Sequence, residues 1–145
     1  MRTYFRKGKG FTLVEVIVVL VILAILAAIL IPSLTGWIDK AKEKQVTVEL
    51  REVALAAETS YQEVYAKYSL GAATQVIYLS GQTSAESWDR EFATLMKQYL
   101  SGDVSWANVK SVTMTGNYLY ISYTKSSVRY LYSRSVDGTV AITKR

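Results

Sequence analysis

Glu15 is the residue whose surroundings most require a chemical explanation. It stands immediately before residues 16–31, sixteen consecutive apolar side chains, and within residues 11–31 the only other polar member is Thr12. A carboxylate inside an apolar helix costs about 2.5–3.5 kcal/mol at a bilayer centre on insertion scales, and such acids usually mark function. The bland account is an acid placed favourably near a helix N-terminus. The remaining chemistry-bearing residues offer little. There is no Cys and no His, which removes thiol catalysis, thiolate metal sites, disulfides and the commonest general base. Asp39, Glu43, Glu49, Glu52, Glu58 and Glu63 alternate with Lys and Arg along one segment, the pattern of a solvated helix face rather than a catalytic pair. Asp137 has no other acid after Asp103, whereas a Ca²⁺ loop needs several oxygen ligands close together. The expectation is no catalytic site, no cofactor and no metal: a protein that is not an enzyme.

The elements that position Glu15 follow from an uneven composition. A chain of 145 residues suggests one globular unit, or a smaller one with an appendage. The long apolar stretch favours the second, because the roughly 110 residues beyond it are unremarkably soluble and can bury a modest core without covalent staples. Charge divides at the same place. Of 17 basic residues, Arg2, Arg6, Lys7 and Lys9 precede Gly10 with no acid among them, leaving 13 to balance 12 acids. Nucleic-acid binding needs clustered cations, and no nucleic-acid partner is expected.

Three readings compete for the N-terminus. A secretory signal has an apolar region of about 7–15 residues and a small-residue cut site; here the run is too long and no A-x-A site follows. A plain signal anchor accounts for the basic start and the apolar length, since about 20 apolar residues span a bilayer as a helix. It leaves Glu15 and the Gly10-Phe11 junction unexplained. The third reading rests on Lys9-Gly10-Phe11-Thr12-Leu13-Val14-Glu15 followed at once by the apolar run, with Pro32 beyond it. This constellation resembles the class III signal of type IV prepilins: a short basic leader, Gly before the cut, Phe first in the mature chain, Glu fifth and a later proline.

The resemblance is close over residues 1 to about 60 and general thereafter. It implies a membrane prepilin peptidase that cuts between Gly10 and Phe11 and N-methylates Phe11. It further implies that Glu15 meets the amine of Phe11 on a neighbouring subunit during filament assembly, although pairing with its own Phe11 amine is the local alternative. Implied partners are other copies of the chain in a homopolymer, the pilus assembly machinery, and membrane lipid before assembly. The implied location is a single-pass membrane precursor with a cytoplasmic leader, then an extracellular filament. Leader Lys and Arg outnumber Lys40, Lys42 and Lys44 only four to three, so the positive-inside rule merely leans the same way. Two departures stand out: Ala24 replaces a glycine many pilins carry, and the missing Cys forbids the C-terminal disulfide of many pilins from two-membraned bacteria, which favours a Gram-positive source or a disulfide-free subgroup. A pseudopilin of a type II secretion or competence system shares this N-terminal logic, and a membrane-anchored binding domain that never polymerises is the alternative of a different class.

Beyond the apolar run, Val46, Leu50, Val53, Ala57, Tyr61, Val64 and Tyr68 recur at steps of three and four, one apolar face of a helix. With only Pro32 and Gly36 to interrupt it, the helix predicted from residue 11 to the mid-60s is a rod of about 80 Å, kinked at Pro32. Residues 69–82 read as a long connection with room for one short strand over 76–79. Thr83 and Glu86 fit a capping box for a short helix carrying Trp88, Phe92, Leu95, Met96 and Tyr99 on one face and stopped by Gly102. Strands are expected over 109–115, 118–124, 128–134 and 139–143, joined by Gly116-Asn117, Lys125-Ser126-Ser127 and Asp137-Gly138 turns. Leu119, Ile121 and Tyr123 should face one side, Tyr118, Tyr120 and Ser122 the other. The five tyrosines between 118 and 132 read as ordinary strand residues with hydroxyls in solvent, against an adhesive aromatic surface. The fold class is α+β: a long N-terminal helix packed on an antiparallel sheet of about four strands. The divisions are a leader over 1–10, a membrane and assembly half over 11–36, and a globular domain over 37–145, its helix running to about 68, loop and short helix over 69–102, sheet over 109–143.

Overall fold

The computed structural model describes residues 10–71, 74–100, 102 and 104–145. Of the leader, only Gly10 lies among them. The first helix, α1, spans Leu13–Tyr68, and the chain divides into two compact units, one ending at Lys42 and one spanning Glu43–Arg145.

In the first unit no described residue outside α1 covers its apolar side chains. Every large apolar side chain from Phe11 to Ile31 is at least 48% exposed. The helical assignment continues through Pro32, whose missing N–H leaves the carbonyl of Ala28 without its helical donor. The Thr35 hydroxyl donates to the Pro32 carbonyl at 2.9 Å.

The second unit has a core. Val46, Leu50, Val53, Ala57, Tyr61 and Val64 of α1 are buried, as their spacing predicts, while Tyr68 is only half-buried. They pack on a five-stranded antiparallel meander in the order β1 (Val76–Leu79), β2 (Val109–Met114), β3 (Leu119–Lys125), β4 (Val128–Arg134) and β5 (Val140–Lys144). The fifth strand is β1, which pairs Val76 with Met114 and Leu79 with Ser111. Alternation holds on β3, where Leu119, Ile121 and Tyr123 are buried and Tyr120 is exposed. On β2 the buried Val109 and Val112 are three apart, because a bulge between Val109 and Ser111 resets the phase.

Helix α2 (Ser87–Tyr99) corrects two expectations. Thr83 does not cap it; Glu86 is the capping position and makes no side-chain cap bond. Ser84 does the local work instead, accepting from the Glu86 N–H at 3.2 Å and donating to Asp89 at 2.7 Å, while Asp89 also accepts from the Ile77 N–H at 2.8 Å. This clasp ties the loop to β1, so the helix starts after Glu86. The helix also ends before Gly102: Leu100 turns extended while its N–H still reaches the Met96 carbonyl at 3.0 Å. Phe92 and Met96 are buried as expected, but Tyr99 is 40% exposed with its hydroxyl donating to Glu63.

The hairpin turns differ in quality. Gly138, at φ +81°, takes the left-handed position that glycine suits, beside an Asp137 carboxyl held down to about 2 by the Ser135 hydroxyl and the Thr139 N–H. The β3–β4 turn instead puts Ser126 and Ser127 at φ 51° and 65°. Such a two-residue turn favours Asn-Gly, and left-handed backbone costs a residue with a side chain about 1–2 kcal/mol. Ser126→Asn with Ser127→Gly is therefore expected to stabilise the domain by about 1 kcal/mol, read as a higher thermal midpoint. An unchanged or lower midpoint would show that the serines are not strained.

Candidate functional site

The site begins at the first turn of α1. Thr12 precedes the helix and Glu15 is its third residue. The Glu15 Oε2 accepts from the Thr12 N–H at 2.7 Å and from the Thr12 hydroxyl at 2.7 Å, and Thr12 Oγ1 in turn accepts from the Glu15 N–H at 3.3 Å. This is a reciprocal capping box, with an acid placed where the helix dipole favours it. Sequence reasoning missed it although Thr12-x-x-Glu15 fits the pattern. The bland local role of Glu15 thus has a definite partner, Thr12.

Glu15 remains exposed, as are Gly10, Thr12 and Phe11, the last at 88%. Phe11, Val14, Val18 and Val19 surround the carboxylate with apolar surface. Such a carboxylate can pair with a cation brought to it from outside. Pro32 lies far along the same helix and shares no contact with this turn. Helix α1 is also long and apolar enough to cross a membrane, with none of its most apolar window buried. A continuous exposed apolar surface of this extent marks a membrane or protein contact.

A second polar cluster lies inside the globular unit. Glu49, expected on a solvated face, is buried. It accepts from the Tyr123 hydroxyl at 2.7 Å and from Gln45 at 3.0 Å, and it is ion-paired with Lys125. Asn108 donates to Tyr123 Oη at 3.2 Å. Burial pushes the Glu49 carboxyl up, but bonds from Lys125 and Tyr123, the Lys125 charge and Gln45 outweigh it and hold the carboxyl below its usual range. Tyr123 is pushed up to about 12 by burial and by its bond to Glu49. The tyrosine expectation is corrected here as well, since Tyr123, Tyr130 and Tyr132 are core residues and only Tyr118 and Tyr120 are exposed. Other acids of the helix do face solvent-side partners: Glu43 pairs with Lys144 at 2.8 Å and Glu58 with Arg134 at 3.2 Å. Among the described residues no cluster of acids is arranged to hold a metal ion.

Residues 5–31 match the family model described as the prokaryotic N-terminal methylation motif, a span that contains Gly10, Phe11 and Glu15. The chain is 42% identical over 60 residues to the type IV wide pilus major component of Thermus thermophilus, covering 41% of this chain and 42% of that protein. It is 47% identical over 45 residues to the type II secretion system core protein G of Vibrio cholerae, 31% of either chain. The corresponding core protein G of Pseudomonas aeruginosa is 31% identical over 88 residues, 59% of this chain and 62% of its own length. The chain thus spans less than half of the first two relatives and under two thirds of the third. No solved structure gives a significant match.

Proposed function

Taking as premise that the chain belongs to the type IV pilin superfamily through its N-terminal methylation motif, we propose that it is a structural subunit of a type IV pilus. It works by polymerisation through the apolar half of α1. The observation that carries this reading is the exposed apolar helix that continues directly from Glu15. Lipid covers that surface in the precursor, and neighbouring copies cover it in the filament. On this proposal a prepilin peptidase cuts between Gly10 and Phe11 and the new Phe11 amine is methylated. The precursor spans the membrane once with residues 1–10 in the cytoplasm. Pro32 supplies a kink, and residues 37–145 form the globular part displayed on the filament.

The test is intact mass spectrometry of membrane or sheared filament material. The expected mature chain begins at Phe11 with a methylated amine and lacks Arg2, Arg6, Lys7 and Lys9. A mature chain beginning at Met1, or cut near Ser33, would sink the proposal. The relatives named as type II secretion core protein G support a second reading as a pseudopilin. Long fibres built mainly of this subunit favour the pilus, and neighbouring genes for secretin and secretion parts favour the pseudopilus.

A further inference from the structure

A pocket of about 370 Å³ lies between α2 and β1 and shares no lining residue with the Glu49 cluster or the apolar half of α1. Its size falls within the roughly 300–1,000 Å³ of small-molecule sites. One wall is a single face of α2, on which Arg90, Ala93, Thr94 and Lys97 recur at helical spacing. Tyr78 of β1 and the following Gln82 and Thr83 also line it.

The charges in this pocket are arranged for an anion. The one carboxylate among its described lining residues, Asp89, is buried and engaged through both oxygens by the Ile77 N–H and the Ser84 hydroxyl. The exposed Arg90 is tethered by Nη1 to the carbonyls of Ser84 at 2.9 Å and Ala85 at 2.8 Å, which fixes its guanidinium without neutralising it. The Lys97 ammonium lies 5.2 Å from the Trp106 ring centroid, and Trp106 packs on Tyr78 at 4.5 Å between centroids. Neither cation pairs with a carboxylate among the described residues. Held cations recognise carboxylate or phosphate through charge-assisted hydrogen bonds. Thr83, Thr94 and Gln82 add groups that both donate and accept, and Tyr78 adds an apolar surface.

We propose that this pocket binds an anionic sugar, a hexose-sized ring carrying a carboxylate or a phosphate. Arg90 or Lys97, which stand about 10 Å apart along the α2 axis, takes the acid group, the threonines and Gln82 take ring hydroxyls, and the Tyr78 ring takes the C–H face. Inorganic phosphate would satisfy the cations alone, and a neutral sugar would leave them unmatched. The site stands whether or not the chain polymerises.

The test is ligand-observed NMR titration of the full chain in detergent micelles with glucuronate, glucose 6-phosphate, glucose and inorganic phosphate. At least one of the two anionic sugars should bind, with glucose and inorganic phosphate about tenfold weaker or more. At least one of Arg90→Gln and Lys97→Gln should weaken that binding by about tenfold. Both side chains are exposed, so these variants should keep the wild-type circular dichroism. Three results would overturn the site: no binding by either anionic sugar, equal binding by inorganic phosphate (an adventitious ion only), or undiminished binding in both variants. Preference between glucuronate and glucose 6-phosphate would assign the acid group.

Discussion

Glu15→Val is expected to leave membrane insertion and cleavage after Gly10 largely intact while reducing filaments a hundredfold or more. Valine suits the apolar stretch, and removing a carboxylate eases insertion. Within one chain Glu15 is already satisfied by the Thr12 N–H and hydroxyl, both at 2.7 Å. Were that its whole purpose, losing it would cost about 1 kcal/mol at one helix end, and filaments would persist. The proposed role is larger. A methylated Phe11 amine stays cationic, and in a filament it would be buried among apolar helices. Breaking a buried pair costs about 3–5 kcal/mol, equivalent to about a hundredfold or more in association. Two further variants separate the roles. Glu15→Gln keeps an acceptor for the capping box but no charge, whereas Thr12→Ala removes the cap and keeps the charge. Glu15→Gln should lose filaments with Glu15→Val, and Thr12→Ala should retain most of them. Immunoblots of the cut form alongside fibre counts read both properties. The reverse ranking, fibres in Glu15→Gln and few in Thr12→Ala, would show that the carboxylate serves only its own helix.

What could be read in advance was whatever the physics kept local. The stripe from Val46 to Val64 is legible because one helix face and one core impose a single period on consecutive turns. The strands from β2 to β5 are legible because each hairpin turn is written between its neighbours. The first strand, β1, is four residues long, and its partner β2 lies some thirty residues on, so no adjacent turn announces it. The capping rule failed at Thr83 because Asp89 reaches back to the Ile77 N–H, a tertiary clasp that moves the helix start. The same rule, unopposed, holds at Thr12, where it was not sought. Glu49 shows the limit most clearly. It sits three residues after Val46 and four before Val53, on the flank of the buried stripe, yet its partners Tyr123 and Lys125 come from a strand 74 and 76 residues away.

That buried pair carries the second large effect. A fragment of residues 37–145 is expected to melt cooperatively, with Glu49→Leu lowering its stability by about 2 kcal/mol and Lys125→Met by about 3 kcal/mol. Lys125→Met is the worse because Glu49 is the more deeply buried partner, its side chain 7% exposed against 28% for Lys125. It leaves a buried carboxylate held only by Tyr123 and Gln45. In Glu49→Leu the stranded ammonium can still reach water, and the main loss is the acceptor of the Tyr123 O–H, whose oxygen keeps the bond from Asn108. Replacing both charges should recover much of the deficit, since a buried ion pair exchanged for apolar side chains is often neutral or better. The pH dependence has two arms. The folded carboxyl of Glu49 lies below its unfolded value of 4.5, so its contribution is full above that pH and is lost as pH falls through the folded value. Tyr123 runs the other way. Its folded value near 12 lies above the unfolded 10.0, so its contribution is full below pH 10 and disappears between about pH 10 and 12. Thermal melts from pH 3 to 11 measure both arms, and Tyr123→Phe should reduce the alkaline one, to which Tyr61, Tyr99 and Tyr132, also held above the usual range, contribute the rest. Equal melting of Glu49→Leu and the parent fragment at neutral pH, with the same acid arm in both, would show that the pair adds nothing to the fold.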